Sequence, residues 1–263
     1  MLTTMAEHTI ECANPLGIAD ELDERGVVCL DNAAPAAWLT QARSEVMDLL
    51  GTNGEKDHFV RTPRGEAHSA TEAFIASPAV RELLTDIVQE RLPRAEADFT
   101  GSALRVIAGP RARGDAFWFH YDASVVTMVV PLFVPDDGRG RSGELIGLFN
   151  KRPFRRFAVV NIFDKVVGQS RFYRQRLLRR LTRQDGMQTV DMKVGNVYLF
   201  WGYRSLHANM PCESGALRAT LLLHFGHPHG SSSMLQRAKA IQAKLRTVQT
   251  GGRSADEAGA SAY

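Results

Sequence analysis

The sequence has little of several things that would assign it quickly. It has three cysteines in 263 residues. Cys12, Cys29 and Cys212 are odd in number, far apart and form no CxxC pair. That argues against a disulfide framework and for a reducing, cytoplasmic compartment. Charge of one sign is also scarce. The net charge of +3 is too small by itself to argue for nucleic acid. No long hydrophobic run occurs. The most apolar stretch, 125–134, falls well short of the roughly 18 residues a membrane span needs. Residues 1–15 carry Glu7 and Glu11 and no apolar core, unlike a secretory signal. No period of 20–50 residues repeats, which excludes a solenoid or propeller.

What remains is ordinary globular material, 44% hydrophobic and 23% charged. At this length a core with a buried pocket is achievable. The first part of the chain reads as helical, with a helix beginning at 18–22 and ending near Gly26. A strand over 26–30 follows. A second helix covers 37–50 with Gly51 as its stop, then comes a polar loop over 51–68. A third helix runs over 78–92, with Ser77 and Pro78 opening it. From Phe99 the texture changes to short β-rich runs: 103–108, 117–134, 145–149, 159–163, 189–194, 196–201 and 219–225. Many short strands after a helical start predict a mainly β fold, a sandwich or barrel with flanking helices on one side. Residues 169–183 look helical and basic, 231–248 reads as a C-terminal helix, and 251–263 as a disordered tail.

One constellation carries chemistry. In the run from Phe117 to Asp122, His120 and Asp122 are two apart at the start of the longest β-like stretch. On a strand they project to one face, and Tyr121 projects away. The same alternation adds Ser124, Val126 and Met128 to that face. An imidazole and a carboxylate side by side make two-thirds of a three-ligand metal site, and the third ligand must come from another strand. His207 is the candidate. It follows the end of a strand opened by Gly195. Eleven residues later Arg218 and Thr220 open the last β-run and share a face, a guanidinium and a hydroxyl suited to hold a carboxylate. Two histidines and one carboxylate with open positions are the arrangement of non-haem Fe(II) oxygenases.

Other readings stand beside this one. His120 could be a hydrogen-bonded core histidine, His207 a surface-loop histidine, and Arg218 half of a structural ion pair. His224, His227 and His229 match no tetrahedral zinc spacing and read as structural or exposed. Arg105, in the preceding β-run, either points outward or joins the interior and binds an anionic substrate or co-substrate. Trp118, Trp201 and Tyr203 read as packing residues.

The order His120-x-Asp122, His207, Arg218-x-Thr220 on a β-rich core resembles the Fe(II)/2-oxoglutarate-dependent dioxygenases. It looks most like their phytanoyl-CoA-hydroxylase-like branch, where the stretch from Pro131 to Phe149 also has a counterpart. The resemblance covers roughly residues 20–226. It implies a double-stranded β-helix core, of jelly-roll or cupin type, with N-terminal helices packed on one sheet. It implies one oxygenase domain over 1–250: helical and strand support over 1–98, the core over 99–229 with a basic insert at 151–188, and a helix over 230–250. It further implies that His120, Asp122 and His207 hold Fe(II). Arg218, helped by Thr220 and with Arg105 as a further contact, would bind 2-oxoglutarate, and O2 would be the second co-substrate. Asp122 stands where the family's halogenases lack a carboxylate, which points to hydroxylation, desaturation or ring formation, with release of succinate and CO2.

The substrate is less legible. Residues 151–183 hold eleven Lys or Arg and one acidic residue, Asp164. They read as a solvated helix face, a lid over an anionic small molecule or a nucleic-acid contact. The related nucleic-acid demethylases carry a second arginine six residues after the first. Here that position is His224, which disfavours nucleic acid. The expectation is a cytoplasmic hydroxylase of a small molecule. The rivals are a nucleic-acid- or protein-directed oxygenase, and a non-enzymatic β-sandwich binding protein that uses the basic segment.

Overall fold

A computed structural model describes residues 10, 13–61, 69–109, 116–135, 142–154, 177, 179–180 and 186–228. The chain divides into units 1–228 and 229–263. The second unit, with the expected helix over 230–250 and tail over 251–263, lies outside the described residues. So do most of the basic segment and the expected run at 159–163.

The N-terminal support forms for local reasons. Helix α1 (Pro15–Arg25) opens with Asn14 accepting from the Gly17 N–H at 3.3 Å and with proline in its first turn. It buries Ile18, Ala19 and Leu22 along one stripe. Strand β1 (Val27–Leu30) follows, then α2 (Ala36–Asn53). α2 runs through Gly51 and ends at Gly54, whose N–H bonds Leu50 O at 2.7 Å. Gly51 is therefore not its stop. An exposed glycine inside a helix costs only about 1 kcal/mol. The expected loop contains strand β2 (His58–Arg61). β2 lacks an alternating pattern because it lies at the end of its sheet and three of its four residues are exposed. Helix α3 (Ala70–Ala76) precedes α4 (Pro78–Arg91), which buries Val80, Leu83, Leu84, Ile87 and Val88. Each such side chain contributes about 1.5–3 kcal/mol.

The β core has seven further strands: β3 (Glu96–Ile107), β4 (Val126–Phe133), β5 (Leu145–Leu148), β6 (Gln188–Val190), β7 (Val197–Phe200), β8 (Leu206–Asn209) and β9 (Arg218–His227). They make two antiparallel sheets, β1-β7-β4-β9-β3-β2 and β6-β5-β8. This is a double-stranded β-helix. The outer face of the larger sheet packs on the helices. Val126, Met128, Val130, Leu221, Leu223 and Phe225 share a cluster with α1 and α4, while Leu104, Val106, Leu132 and Ala219 share one with α2. The inner face meets the smaller sheet through Val129, Leu145, Tyr198 and Phe200.

Register fixes which side chains line the interior, because directly paired residues point to the same side. One inner row runs Gly101, His224, Thr127, Phe200. The next runs Ala103, Leu222, Val129, Tyr198. A third holds Arg105, Thr220 and Pro131, and a fourth Ile107 and Arg218. Val126 and Met128 therefore do not share a face with His120 and Asp122. Residues 123–125 bend, so the alternation does not carry from the motif into β4. The strand expected over 117–134 begins only at Val126.

Candidate metal centre

His120 and Asp122 sit in the approach to β4, and His207 lies inside β8 rather than after a strand. The polar residues of this four-residue strand hid it. Its inward positions are His207 and Asn209, while Leu206 and Ala208 pack outward against Phe119 and Ile146. The two histidines are backbone partners. His120 N–H donates to His207 O, and His207 N–H to His120 O, both at 3.0 Å. Asp122 N–H is held by Gly202 O, also at 3.0 Å. Three segments far apart in sequence are thus fixed by main chain before any side chain is considered.

The side chains converge. His120 Nε2 lies 3.5 Å from Asp122 Oδ1, and His207 Nε2 lies 3.6 Å from Asp122 Oδ2. One ligand atom from each of the three residues falls within 4.8 Å of the others. Two ligands at about 2.1 Å on one divalent ion stand roughly 3 Å apart, so only small shifts separate this cluster from coordination. The tautomers fit as well. His120 Nδ1 lies 2.8 Å from Trp118 O and His207 Nδ1 lies 3.1 Å from Ser205 O. A carbonyl only accepts, so both Nδ1 atoms carry the proton and both Nε2 lone pairs remain for an ion. The donor set suits a first-row divalent metal with open positions. Asp122 and His207 are buried, whereas the His120 side chain is 43% exposed, so the cluster opens to solvent on that side.

Electrostatics favour the same state. Burial pushes His207 down to about 4, outweighing the pull of Asp122, so its imidazole is neutral at pH 7. Burial opposes ionisation of Asp122, but its interactions with His207, His224 and His120 and the Thr127 hydroxyl prevail. Its carboxyl stays below the usual carboxylate range.

Sequence reasoning passed over several residues here. Thr127 donates to Asp122 Oδ2 at 2.5 Å. His224, read as structural or exposed, lies with Nδ1 3.7 Å from the same oxygen. Carrying the parity of Arg218 and Thr220 four residues further along β9 finds it. Gly202 makes room: a Cβ there would sit 2.7 Å from Asp122 Oδ2 and closer still to Thr127 Oγ1.

Arg218 and Thr220 are buried on the inner face of β9, and Arg105 shares Thr220's row. Among the described residues, the Arg218 guanidinium makes one hydrogen bond, Nη2 to Asn209 Oδ1 at 3.4 Å. Asn209 is two residues beyond His207 on β8, which puts the guanidinium roughly 7 Å along the strand from that histidine. Burial draws Arg218 below its ordinary value, opposed by Cys212 and Glu144 and reinforced by Arg105. The backbone at Gly143 lies under its aliphatic stem, where a Cβ would meet Arg218 Cδ at 2.7 Å. Arg105 also has an acidic neighbour, Asp57 Oδ2, at 3.8 Å. Trp201 and Tyr203 are fully buried packing residues, as expected, while Trp118 is half exposed beside His120.

Neither a family model nor a curated protein matches the sequence. Solved structures do. A prolyl-4-hydroxylase from Pseudomonas putida is 17% identical with a TM-score of 0.51, covering 81% of this chain and 98% of that one. A prolyl hydroxylase from Trichoplax adhaerens, in complex with a hypoxia inducible factor peptide fragment, is 14% identical with a TM-score of 0.55. It covers 82% of this chain and 91% of that one. EctD from S. alaskensis is 18% identical with a TM-score of 0.54, covering 79% and 75%. The chain shares their fold. A second EctD structure contains bound Fe, at 17% identity and a TM-score of 0.50, covering 79% and 74%.

Proposed function

We propose that the chain is an Fe(II)/2-oxoglutarate-dependent oxygenase, acting in the cytoplasm as a hydroxylase of a small molecule. The observation that carries this is the convergence of two Nε2 lone pairs and one ionised carboxylate at 3.5–3.6 Å inside a double-stranded β-helix. His120, Asp122 and His207 would hold the iron. An Fe(II) held there would let O2 oxidise two partners at once, 2-oxoglutarate to succinate and CO2 and a substrate C–H to C–OH, with one oxygen atom going to each.

The chain's own part is positional. The paired backbones of His120 and His207 set the ligand spacing, and the Nδ1 hydrogen bonds aim both rings. Arg218 offers a buried cation to the far carboxylate of the co-substrate, with Thr220 and Arg105 on the same inner face. The apolar cluster around Val129, Tyr198 and Leu222 keeps the adjoining interior apolar, which would shield the reacting groups from water. The free thiols of Cys29 and Cys212 suit a reducing compartment, and among the described residues no helix is long and apolar enough to cross a membrane. The phytanoyl-CoA-hydroxylase-like branch rests on the sequence resemblance. The likeness to prolyl hydroxylases, one with a bound peptide, favours a peptide side chain as the second reading of the substrate.

Anaerobic addition of Fe(II) and 2-oxoglutarate tests the chemistry. A weak visible metal-to-ligand band is expected, lost in His120→Ala and kept when charges in 151–183 are reversed. Absence of the band in the unaltered protein overturns the reading. Succinate release against a metabolite panel and a set of proline-containing peptides separates the two substrate classes.

A further inference from the structure

Asp122 has two oxygens, and the structure treats them differently. Oδ2 receives the Thr127 hydroxyl at 2.5 Å. Oδ1 faces His120 Nε2 at 3.5 Å, and Oδ2 also stands 3.6 Å from His207 Nε2. The proton of Thr127 Oγ1 is committed to the carboxylate, so toward other groups that oxygen can only accept. His224 Nδ1 lies 3.3 Å from it and 3.4 Å from Ser124 Oγ. Thr127 Oγ1 is served by the tautomer in which Nδ1 carries the proton and points toward the hydroxyls. A donor aimed at Thr127 Oγ1 polarises its O–H and strengthens the bond to Asp122. The three residues are placed by register, since His224 and Thr127 are direct cross-strand partners on the inner face. Ser124 and Thr127 are buried, as is Asp122 itself. The arrangement also requires the missing side chain of Gly202, since a Cβ there would overlap both ends of the Thr127–Asp122 bond.

We propose that His224 is a positioning residue. Through Thr127 it fixes the orientation of the Asp122 carboxylate, so that the ligand oxygen is already aimed when a metal arrives. The inference rests on the metal reading of His120, Asp122 and His207.

Titration with Co(II) alone, read by its visible bands and by calorimetry, tests it without turnover. The wild type binds one Co(II). Thr127→Val and His224→Leu each weaken binding by roughly tenfold or more, the usual cost of losing an outer hydrogen bond to a ligand, with a changed band pattern. His224→Asn, whose amide N–H can replace Nδ1–H, restores near wild-type affinity. In the Thr127→Val background, His224→Leu adds nothing further, because the relay is already cut. Gly101→Ala is the control. Gly101 is the cross-strand neighbour of His224 on its other side, and an added methyl there meets nothing within 4 Å. It leaves affinity unchanged, and thermal melts confirm that each variant folds. Wild-type affinity in a folded His224→Leu overturns the proposal while leaving the metal site intact. So does a full additional loss in the Thr127→Val background. If the wild type binds no Co(II), the metal reading itself falls, and the relay with it.

Discussion

At the scale of single residues the site is a problem of clearance and protonation. Gly202 is the tightest point, because the Asp122 carboxylate and the Thr127 hydroxyl occupy the space a Cβ would fill. Gly202→Ala should displace Asp122, weaken Co(II) binding at least tenfold and leave the melting temperature within a few degrees. Unchanged affinity would show that the carboxylate has slack. His207 sets a pH dependence. Its folded value of about 4 lies below the ordinary 6.5, so between these values the unfolded chain binds the extra proton. Stability is complete above pH 6.5 and is lost as pH falls toward 4, by about 3 kcal/mol for this group. Urea melts of EDTA-treated protein at pH 7.5, 5.5 and 4.5 should show that loss. His207→Asn should flatten it. An equally steep profile in the variant would assign the effect elsewhere.

Among elements, the decisive joint is the one that ties the helices to the turn between β7 and β8. Asp23 on α1 accepts from Arg91 Nε on α4 at 2.6 Å and from Trp201 Nε1 at 3.0 Å, and it pairs with Arg204. Burial would raise its carboxyl, but the two arginines more than offset this and hold it below its usual value. Trp201 precedes Gly202, and Arg204 precedes β8, so this carboxylate braces the turn between two parts of the site. Arg152 braces the same turn from the other side. Its Nε donates to Tyr203 O at 2.6 Å, and its guanidinium lies over the rings of Tyr121 and Tyr203 at 3.8 and 4.5 Å. Asp23→Ala leaves a buried indole N–H unsatisfied and should cost about 2 kcal/mol. Asp20→Ala, which removes an exposed partner of the same Arg91, should cost under about 1 kcal/mol. Equal losses in chemical denaturation would show that the brace carries no weight.

For the whole molecule, the two sheets enclose the candidate metal cluster, with a buried arginine further along the strands. Such a site stabilises the fold when filled. At one hundred times its dissociation constant a ligand adds about 2.7 kcal/mol, so metal with 2-oxoglutarate should raise the melting temperature by roughly 5–10 °C. Arg218→Ala should abolish the part due to 2-oxoglutarate and keep the part due to metal; loss of both, or of neither, would dissociate Arg218 from the co-substrate. Much of this was legible in one dimension. The apolar stripes of α1 and α4 and the strands β5, β7 and β9 follow from periodicity, because burial on one face imprints a period on the chain, and residue type with the family resemblance singled out His120, Asp122, His207, Arg218 and Thr220 as candidates. Arg105 was left undecided until its pairing with Thr220 turned it inward. Strand parity was read through the bend at 123–125, so Val126 and Met128 were assigned to the site and Thr127 was not. β2 and β8 were missed because a four-residue strand with exposed or polar positions carries no pattern of its own. Local physics thus determined which side chains could serve a metal and that α1, α2 and α4 are helical, while α3 (Ala70–Ala76), a helix of seven residues, went unread and α1 begins at Pro15 rather than at 18. Which of them meet was decided only by cross-strand register, a relation between segments nearly a hundred residues apart that no local preference encodes, and the same register sets His224 opposite Thr127.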